Sequence, residues 1–270
     1  MYTYQHVILV GIDGAGNFYR STEAPMIRRL MAEGAGTDMC LTSLPSISAE
    51  CWGSMLLGVY PDVHGLTNGI ISSTPYTNTD IPSVFTLIRR CRPDARLASF
   101  CNWNPINFGI LDDAATKQGT AHDEELTDMI CECIKADKPD FLFVQFDSVD
   151  HMGHAHGYGS PEHLAQITLC DGMAAKIYAA AVEAGIIEDT LFILTADHGG
   201  FGHSHGGDTD EEKYVFFAAV GKTVSKGSRI DLEVKDIPAI VTRALGVKDG
   251  ETWQAKLPEE MFAEPCGDYR

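Results

Sequence analysis

Short apolar runs bounded by glycine, proline or charged residues recur along this sequence and predict buried strands. HVILVG ends in glycine, FLFVQF follows a Lys-Pro-Asp breaker, and TLFILT and YVFFAAV come later in the chain. Apolar positions spaced three and four apart predict helices, which begin at a proline or end near a glycine. The predicted strands cover residues 6–11, 141–146, 190–195 and 214–220, and the predicted helices cover 25–34, 162–184 and 234–245.

Nearly continuous apolar strands that alternate with helices are typical of a parallel sheet buried on both faces. We therefore predict the α/β class, with a mostly parallel central sheet and helices on both faces. No repeat or flexible linker divides the chain, so we expect a single domain over residues 1–270. The stretch 66–125 has the least regular pattern, and we expect it to form loop excursions or a small subdomain.

The charge balance limits the partners that the chain can bind. It has 38 Asp or Glu residues against 20 Lys or Arg, for a formal net charge of −18. Phosphate backbones and anionic membranes repel such a chain, so we expect neither a nucleic-acid polymer nor a membrane as a partner. We find neither a signal-peptide pattern nor an apolar run near the ~20 residues that span a bilayer, and we expect a cytoplasmic location. The eight cysteines form no CxxC pair, and we expect reduced, mostly buried thiols.

Acidic side chains follow three of the predicted strands. Asp13 follows the first strand, Asp147 and Asp150 follow FLFVQF, and Asp197 follows TLFILT. Ligands bind α/β sheets at the carboxyl ends of the strands, so these carboxylates should converge. A single Asp of this kind is usually a helix cap, but seven of the ten histidines also lie between residues 151 and 205. Carboxylate and imidazole together suit zinc or manganese, and magnesium is also accepted by oxygen-rich sites.

A second candidate element is a run of small hydroxyl residues before a predicted helix. Ser43, Ser46 and Ser48 precede the apolar stretch ECWGSMLLG. A serine at a helix N-terminus lies beside backbone N–H groups and the positive end of the helix dipole, which suits an oxygen that attacks a phosphate. The alternative is that Ser46 or Ser48 is simply an N-cap, and the pattern alone leaves both readings open.

The ordered motifs VGIDG, PSISAECWGSMLLGVYPDVHG, DSVDHMGH, TADHGG and HGGDTDEE resemble the alkaline phosphatase superfamily. The resemblance is nearest to its type I phosphodiesterase and nucleotide pyrophosphatase branch and runs from about residue 6 to about residue 246. It implies a three-layer sandwich, two divalent metal ions, most simply Zn²⁺ with Mn²⁺ or Mg²⁺ as alternatives, and a small phosphate ester as substrate.

The resemblance also implies which residues bind the two ions. One ion would be held by Asp13, Asp197, His198 and the hydroxyl of the nucleophile, Ser48. The other would be held by Asp150 and His154, which match a D-x-x-G-H unit, together with His205. His205 is preferred over His203 because it begins the HGGDTDEE motif.

The resemblance places the nucleophile at Ser48, ten residues before Gly58. A donor to the phosphoryl oxygens is expected close to it. The candidates are Cys51, Trp52 and Asn68, and the sequence does not choose among them. A thiol is the weakest of these donors.

The function implied is a metal-dependent phosphoester hydrolase of the phosphodiesterase or nucleotide pyrophosphatase type, with a phosphoseryl intermediate. One alternative is a phosphomonoesterase or a relative of phosphonate hydrolases and phosphomutases. Another is a non-catalytic metal-binding protein. A sulfatase is not expected, because residues 48–52, SAECW, lack the proline and arginine of the C/S-x-P-x-R context.

Overall fold

The strands form where the sequence predicts them, because their apolar side chains are buried on both faces of one sheet. The computed structural model describes residues 4–111 and 113–263. Every residue of the strands that begin at His6, Phe141 and Thr190 is buried, as expected in the middle of a covered sheet. These three strands and the one that begins at Tyr214 are confirmed to within one residue at each end.

Eight strands and eleven α-helices lie within the described residues. The strands are β1 His6–Ile12, β2 Ala35–Leu41, β3 Leu97–Cys101, β4 Lys117–Gly119, β5 Phe141–Phe146, β6 Thr190–Ala196, β7 Tyr214–Val220 and β8 Ser228–Arg229. The helices are α1 Pro25–Glu33, α2 Ser48–Leu57, α3 Pro61–His64, α4 Asn68–Ser73, α5 Val84–Cys91, α6 Pro105–Gly109, α7 Asp123–Asp137, α8 Ser148–His156, α9 Pro161–Glu183, α10 Asp210–Lys213 and α11 Ile237–Leu245.

All of these strands belong to one sheet, in the order β4-β3-β5-β1-β6-β7-β2-β8. The sheet is mostly parallel, as predicted, but β7 runs antiparallel to both of its neighbours. The sheet is therefore mixed rather than purely parallel. A parallel connection needs a crossover, usually a long helix, whereas the segment between β6 and β7 contains only the four-residue α10 and returns directly. That return keeps Asp197, His198 and His205 at one edge of the sheet.

Two groups of helices pack around the sheet. α9 contacts α1, α7 and α8, whereas α11 contacts α2 and α5. Both faces of the central strands are buried beneath these groups, so the fold is an α/β arrangement around one mixed sheet. The predicted helix 234–245 is a 3₁₀ turn, Val234–Asp236, followed by α11, whose first turn contains Pro238.

The stretch 66–125 joins the central sheet. It contributes α4, α5 and α6 together with β3 and β4, and these two strands extend the sheet beyond β5. No helix in the described part of the chain is long and apolar enough to cross a bilayer. The seven described cysteines are free and five of them are buried, as expected for reduced thiols, whereas Cys266 lies outside the described residues.

Candidate metal centre and nucleophile

The carboxyl ends of three adjacent strands bring the predicted acidic residues together. β1 pairs with β5 on one side and with β6 on the other, and Ile12 lies opposite both Phe146 and Ala196. The residues that follow these positions, Asp13, Asp147 and Asp197, therefore leave the sheet at the same level. This register is why acids far apart in sequence reach one site.

One group of ligand atoms surrounds the imidazole of His198. Its Nε2 lies 3.0 Å from Ser48 Oγ. The same nitrogen lies 3.4 Å from Asp13 Oδ1 and 3.4 Å from Asp197 Oδ2. His198 and Asp197 are fully buried, and Asp13 is 1% exposed. The four residues assigned by resemblance to the first ion thus meet in one buried cluster.

The second group is built around Asp150 on α8. Asp150 Oδ2 lies 3.3 Å from Nε2 of His154, one helical turn further on, and Asp150 Oδ1 lies 3.9 Å from Nε2 of His205. The ring of His205 stacks on the ring of His198, with centroids 3.9 Å apart. The carboxylate of Asp150 also lies within 4.8 Å of ligand atoms of Asp13 and His198. The two groups therefore adjoin and share this carboxylate.

Backbone carbonyl oxygens fix the orientation of the imidazoles. His198 Nδ1 lies 2.8 Å from Gly199 O, and His205 Nδ1 lies 2.7 Å from Ser46 O. A carbonyl oxygen only accepts, so each Nδ1 carries the hydrogen. Burial lowers the pKa of both His198 and His205, which keeps the rings neutral and leaves a lone pair on each Nε2. Metal-binding histidines usually donate their other ring N–H to a carbonyl or carboxylate. His198 and His205 already have this hydrogen bond and can bind a metal ion through Nε2.

His154 differs from the other two imidazoles because it is less buried. Its Nδ1 donates to His203 O at 2.9 Å, and its hydrogen bond with Asp150 raises the pKa of His154 to about 9. Burial alone would raise the pKa of Asp150, but the hydrogen bond from His154, together with the neighbouring imidazoles and the Tyr158 hydroxyl, outweighs burial and holds that pKa below its usual range. In the absence of a cation this imidazole therefore carries a proton, which a metal ion would replace.

Among the described residues, three buried carboxylate oxygens have no hydrogen-bond partner: Asp13 Oδ1, Asp197 Oδ2 and Glu50 Oε2. The first two each lie 3.4 Å from His198 Nε2. Burial, reinforced by neighbouring carboxylates, raises the pKa of Asp13 and of Asp197 well above the ordinary value. Acceptors that face one another without a donor are costly unless a cation lies between them. This donor set of Asp oxygens and His nitrogens fits divalent zinc or manganese.

Ser48 begins α2, and every residue of that helix is buried. Its hydroxyl donates to the lone pair of His198 Nε2. Asn68 lies beside it, since Asn68 Oδ1 accepts from the Ala49 N–H at 3.0 Å. The exposed side chain of Asn68 therefore presents its Nδ2 as a donor at the first turn of α2.

Cys51 and Trp52 lie beneath the site and do not face it. Both are fully buried. Cys51 Sγ contacts the hydroxyl of Thr42 at 3.2 Å, and Trp52 Nε1 donates to Asp13 Oδ2 at 2.8 Å. Of the three candidate donors, the side chains of Cys51 and Trp52 are thus shielded from solvent, whereas that of Asn68 is exposed.

The remaining histidines near the site stand outside the two ligand groups. His203 Nδ1 pairs with His154 O at 3.1 Å, and the side chains of His151, His156 and His203 are exposed. His64 is the last residue of α3, and its Nδ1 accepts from the Leu66 N–H. The preference for His205 over His203 thus agrees with the geometry.

Two residues at the site were not anticipated from the sequence. Gln145 Nε2 donates to Asp13 Oδ2 at 3.0 Å and to Asp147 Oδ1 at 2.9 Å. The Tyr158 hydroxyl donates to Asp150 Oδ1. The sequence does contain an indication for Gln145, because it is the one polar residue in the apolar run FLFVQF. Tyr158 lies in the run GYG, where no sequence pattern marks it as a site residue.

A model of the type I phosphodiesterase / nucleotide pyrophosphatase family matches residues 7–76 and 75–235. Alkaline phosphatase PhoD of Zymomonas mobilis is 29% identical over 133 residues, which make up 48% of this chain and 20% of that protein. The chain thus matches about a fifth of the length of this curated relative.

Two solved structures show the similarity of fold. Human ectonucleotide pyrophosphatase / phosphodiesterase 5 superposes with a TM-score of 0.80 at 13% identity, over 96% of this chain and 100% of that one. A 2-O GAG sulfatase superposes with a TM-score of 0.76 at 11% identity, over 96% and 74% of the two chains.

The unpartnered carboxylates predict that Asp197→Asn stabilises the protein in chelator while weakening metal binding. The amide keeps the oxygen that accepts from Gly14 and His198 N–H groups, and its NH₂ would donate to His198 Nε2. The raised pKa means that wild-type stability is fullest below the ordinary carboxyl pKa and falls as pH rises through the raised value. At pH 8 in EDTA we expect the free energy of unfolding of the variant to exceed that of wild type by about 1–3 kcal/mol.

The extra stability of Asp197→Asn over wild type should shrink as pH falls towards 4, where the wild-type carboxyl is protonated. Thermal unfolding with and without Zn²⁺ measures both the stability in chelator and the stabilisation by metal. Asp210→Asn, at the exposed start of α10, is the matched control and should change neither quantity. A destabilised Asp197→Asn protein that still gains the full wild-type stabilisation from zinc would contradict the assignment.

Proposed function

The chain belongs to the type I phosphodiesterase / nucleotide pyrophosphatase family, and on that premise we propose that it is a metal-dependent phosphoester hydrolase whose nucleophile is Ser48. The proposal rests on one observation. At one buried point the structure brings together the Ser48 hydroxyl, the lone pair of His198 and two unpartnered carboxylate oxygens. Such a set holds a cation next to an alcohol, which is what activation of a serine for attack on phosphorus requires.

Two divalent ions fit the residues present. Asp13, Asp197, His198 and Ser48 would hold one, and Asp150, His154 and His205 would hold the other. When bound, such ions lower the pKa of a coordinated hydroxyl and stabilise the charge on the attacking and leaving oxygens. The equal number of carboxylates and imidazoles favours Zn²⁺, with Mn²⁺ next, because imidazole is a poor ligand for Mg²⁺.

The chain's own residues would divide the reaction between them. Ser48 Oγ gives its proton to water and forms a bond to phosphorus, while the bond from phosphorus to the leaving oxygen breaks. The leaving alkoxide takes up a proton from water. A second water then attacks the phosphoseryl group, restores the Ser48 hydroxyl and releases phosphate or a phosphomonoester. Asn68 Nδ2 and the N-terminal amides of α2 would hold the nonbridging oxygens during both steps.

The charges around the site favour a substrate with one negative charge on phosphorus. The groups that shift the pKa of Asp13 and Asp150 are carboxylates, histidines and neutral hydrogen-bond donors. A phosphodiester has one negative charge and a monoester close to two, so the monoester is opposed more strongly by these acids. We propose a small phosphodiester or nucleotide pyrophosphate as substrate, since a net charge of −18 disfavours polyanions.

Ser48→Ala tests the nucleophile. We expect kcat for a bis-aryl phosphodiester to fall by about 10³-fold or more, because no other hydroxyl occupies that position. The bound metal should stay near wild-type stoichiometry, because Asp13, Asp197 and His198 remain. Turnover assays and metal analysis of the same preparation give both values.

Ser54→Ala is the matched control for that substitution. Ser54 lies on the same helix, and its hydroxyl contacts His64 at 3.3 Å, away from the ligand groups. Its kcat should be close to wild type. Full activity in Ser48→Ala would refute the nucleophile assignment. Two bound ions in the wild-type protein without hydrolysis of any ester tested would favour the non-catalytic alternative.

The substrate class can be decided by comparing two esters of the same phenol. We expect kcat/KM for the bis-aryl phosphate to exceed that for the mono-aryl phosphate, for the charge reason given above. The wild-type enzyme should be assayed with both at one pH and one metal concentration. A higher kcat/KM for the monoester would reverse the order and favour the phosphomonoesterase alternative.

Asn68→Ala tests the phosphoryl donor. Loss of the Nδ2 donor should lower kcat/KM for the diester by about 10²-fold, the usual cost of removing one donor to a developing oxyanion. Cys51→Ala removes the weaker, buried candidate and should leave kcat/KM close to wild type. If the Cys51 variant loses the activity and the Asn68 variant keeps it, the two assignments must be exchanged.

A further inference from the structure

The two oxygens of the Asp13 carboxylate have different surroundings. Oδ2 accepts two hydrogen bonds, from Trp52 Nε1 at 2.8 Å and from Gln145 Nε2 at 3.0 Å. Oδ1 has none, although it is buried, and lies 3.4 Å from His198 Nε2. One oxygen is therefore saturated by donors from the protein, while the other faces the proposed cation with its lone pairs free.

The indole of Trp52 is held in place by its neighbours. Trp52 is among the largest fully buried side chains, and its ring meets Phe143 edge to face with centroids 5.6 Å apart. A Cβ on Gly11 would collide with the indole. Glycine in β1 thus makes room for a tryptophan from α2, whose N–H is directed at the acid two residues after that glycine.

The amide of Gln145 is also fixed. Its Oε1 accepts from the backbone N–H of Trp103 at 2.9 Å, which sets which end of the amide carries the hydrogens. Both N–H bonds of Nε2 are then used, one for Asp13 and one for Asp147. Gln145 is fully buried in β5, so the strand adjacent to β1 holds it at this position.

From these contacts we propose that Trp52 and Gln145 are positioning residues that make Asp13 a monodentate metal ligand through Oδ1. The inference rests on the proposed metal centre. A carboxylate with both oxygens free can bind one ion through both of them and occupy two of its coordination positions. With Oδ2 held by two donors, Asp13 takes a single position, and another is left for the Ser48 oxygen or the substrate.

Metal affinity tests the proposal without an activity assay. Trp52→Phe keeps an aromatic ring and removes the N–H, and Gln145→Met keeps the length of the side chain and removes both donors. Each should weaken the binding of one of two Zn²⁺ ions by about 10–100-fold, the usual effect of removing an outer partner of a ligand. The other ion, held by Asp150, His154 and His205, should keep its wild-type dissociation constant. Competition with a chromophoric chelator measures both constants.

Gln166→Met is the matched control, since Gln166 is a buried glutamine on α9 whose Nε2 donates to Cys170 Sγ. Its zinc affinities should equal those of wild type. Thermal unfolding in EDTA separates positioning from packing. A variant that only loses packing should have a lower melting temperature, but the affinity for one of the two ions should not fall more than that for the other. If Trp52→Phe fails to fold, Gln145→Met alone decides.

The zinc-binding results also distinguish failure of the positioning role from failure of the proposed metal centre. Wild-type protein that binds no zinc overturns the metal centre itself. Wild-type protein that binds two ions, together with variants that bind both ions equally well, overturns only the positioning role of Trp52 and Gln145.

Discussion

Repulsion among buried hydrogen-bond acceptors is the constraint on which this site depends. Asp13 Oδ1, Asp197 Oδ2 and the lone pair of His198 Nε2 face one another in a buried cluster, and the Ser48 hydroxyl donates to that imidazole nitrogen. Such a cluster is stable only if protons or cations neutralise it. The parallel strands cause this repulsion, because their carboxyl ends bring the acids to one level. The same convergence allows the cluster to bind metal.

The surroundings of the cluster strengthen this arrangement. Donors such as Trp52, Gln145 and Tyr158 reach the carboxylates through neutral N–H and O–H groups. A Cβ on Gly153 or Gly200 would collide with the Tyr158 ring, just as one on Gly11 would collide with Trp52. Neutral donors therefore orient Asp13, and the neutral Tyr158 hydroxyl also binds Asp150. An acidic chain with a net charge of −18 can then handle a phosphate ester if the positive charge comes from bound metal.

The sequence predicts the parts of this structure that depend on local pattern. Apolar runs located the central strands, and an acid directly after each of them indicated the site. The direction of β7 depends on how the chain returns from β6, which apolar pattern does not encode. β2 escaped prediction because it alternates between buried and partly exposed residues and contains Thr37 and Asp38. Gln145 was visible as a polar residue in a buried strand, but its partner Asp13 lies 132 positions away, so only the fold could connect them.

We infer that the buried acceptors hold two cations. A crystal of the wild-type protein grown with zinc, with anomalous difference density measured at the zinc edge, would locate these ions. We expect two peaks, one bound by Asp13 Oδ1, Asp197 and His198 and the other by Asp150, His154 and His205. Absence of density at these atoms, with zinc bound elsewhere or not at all, would contradict it.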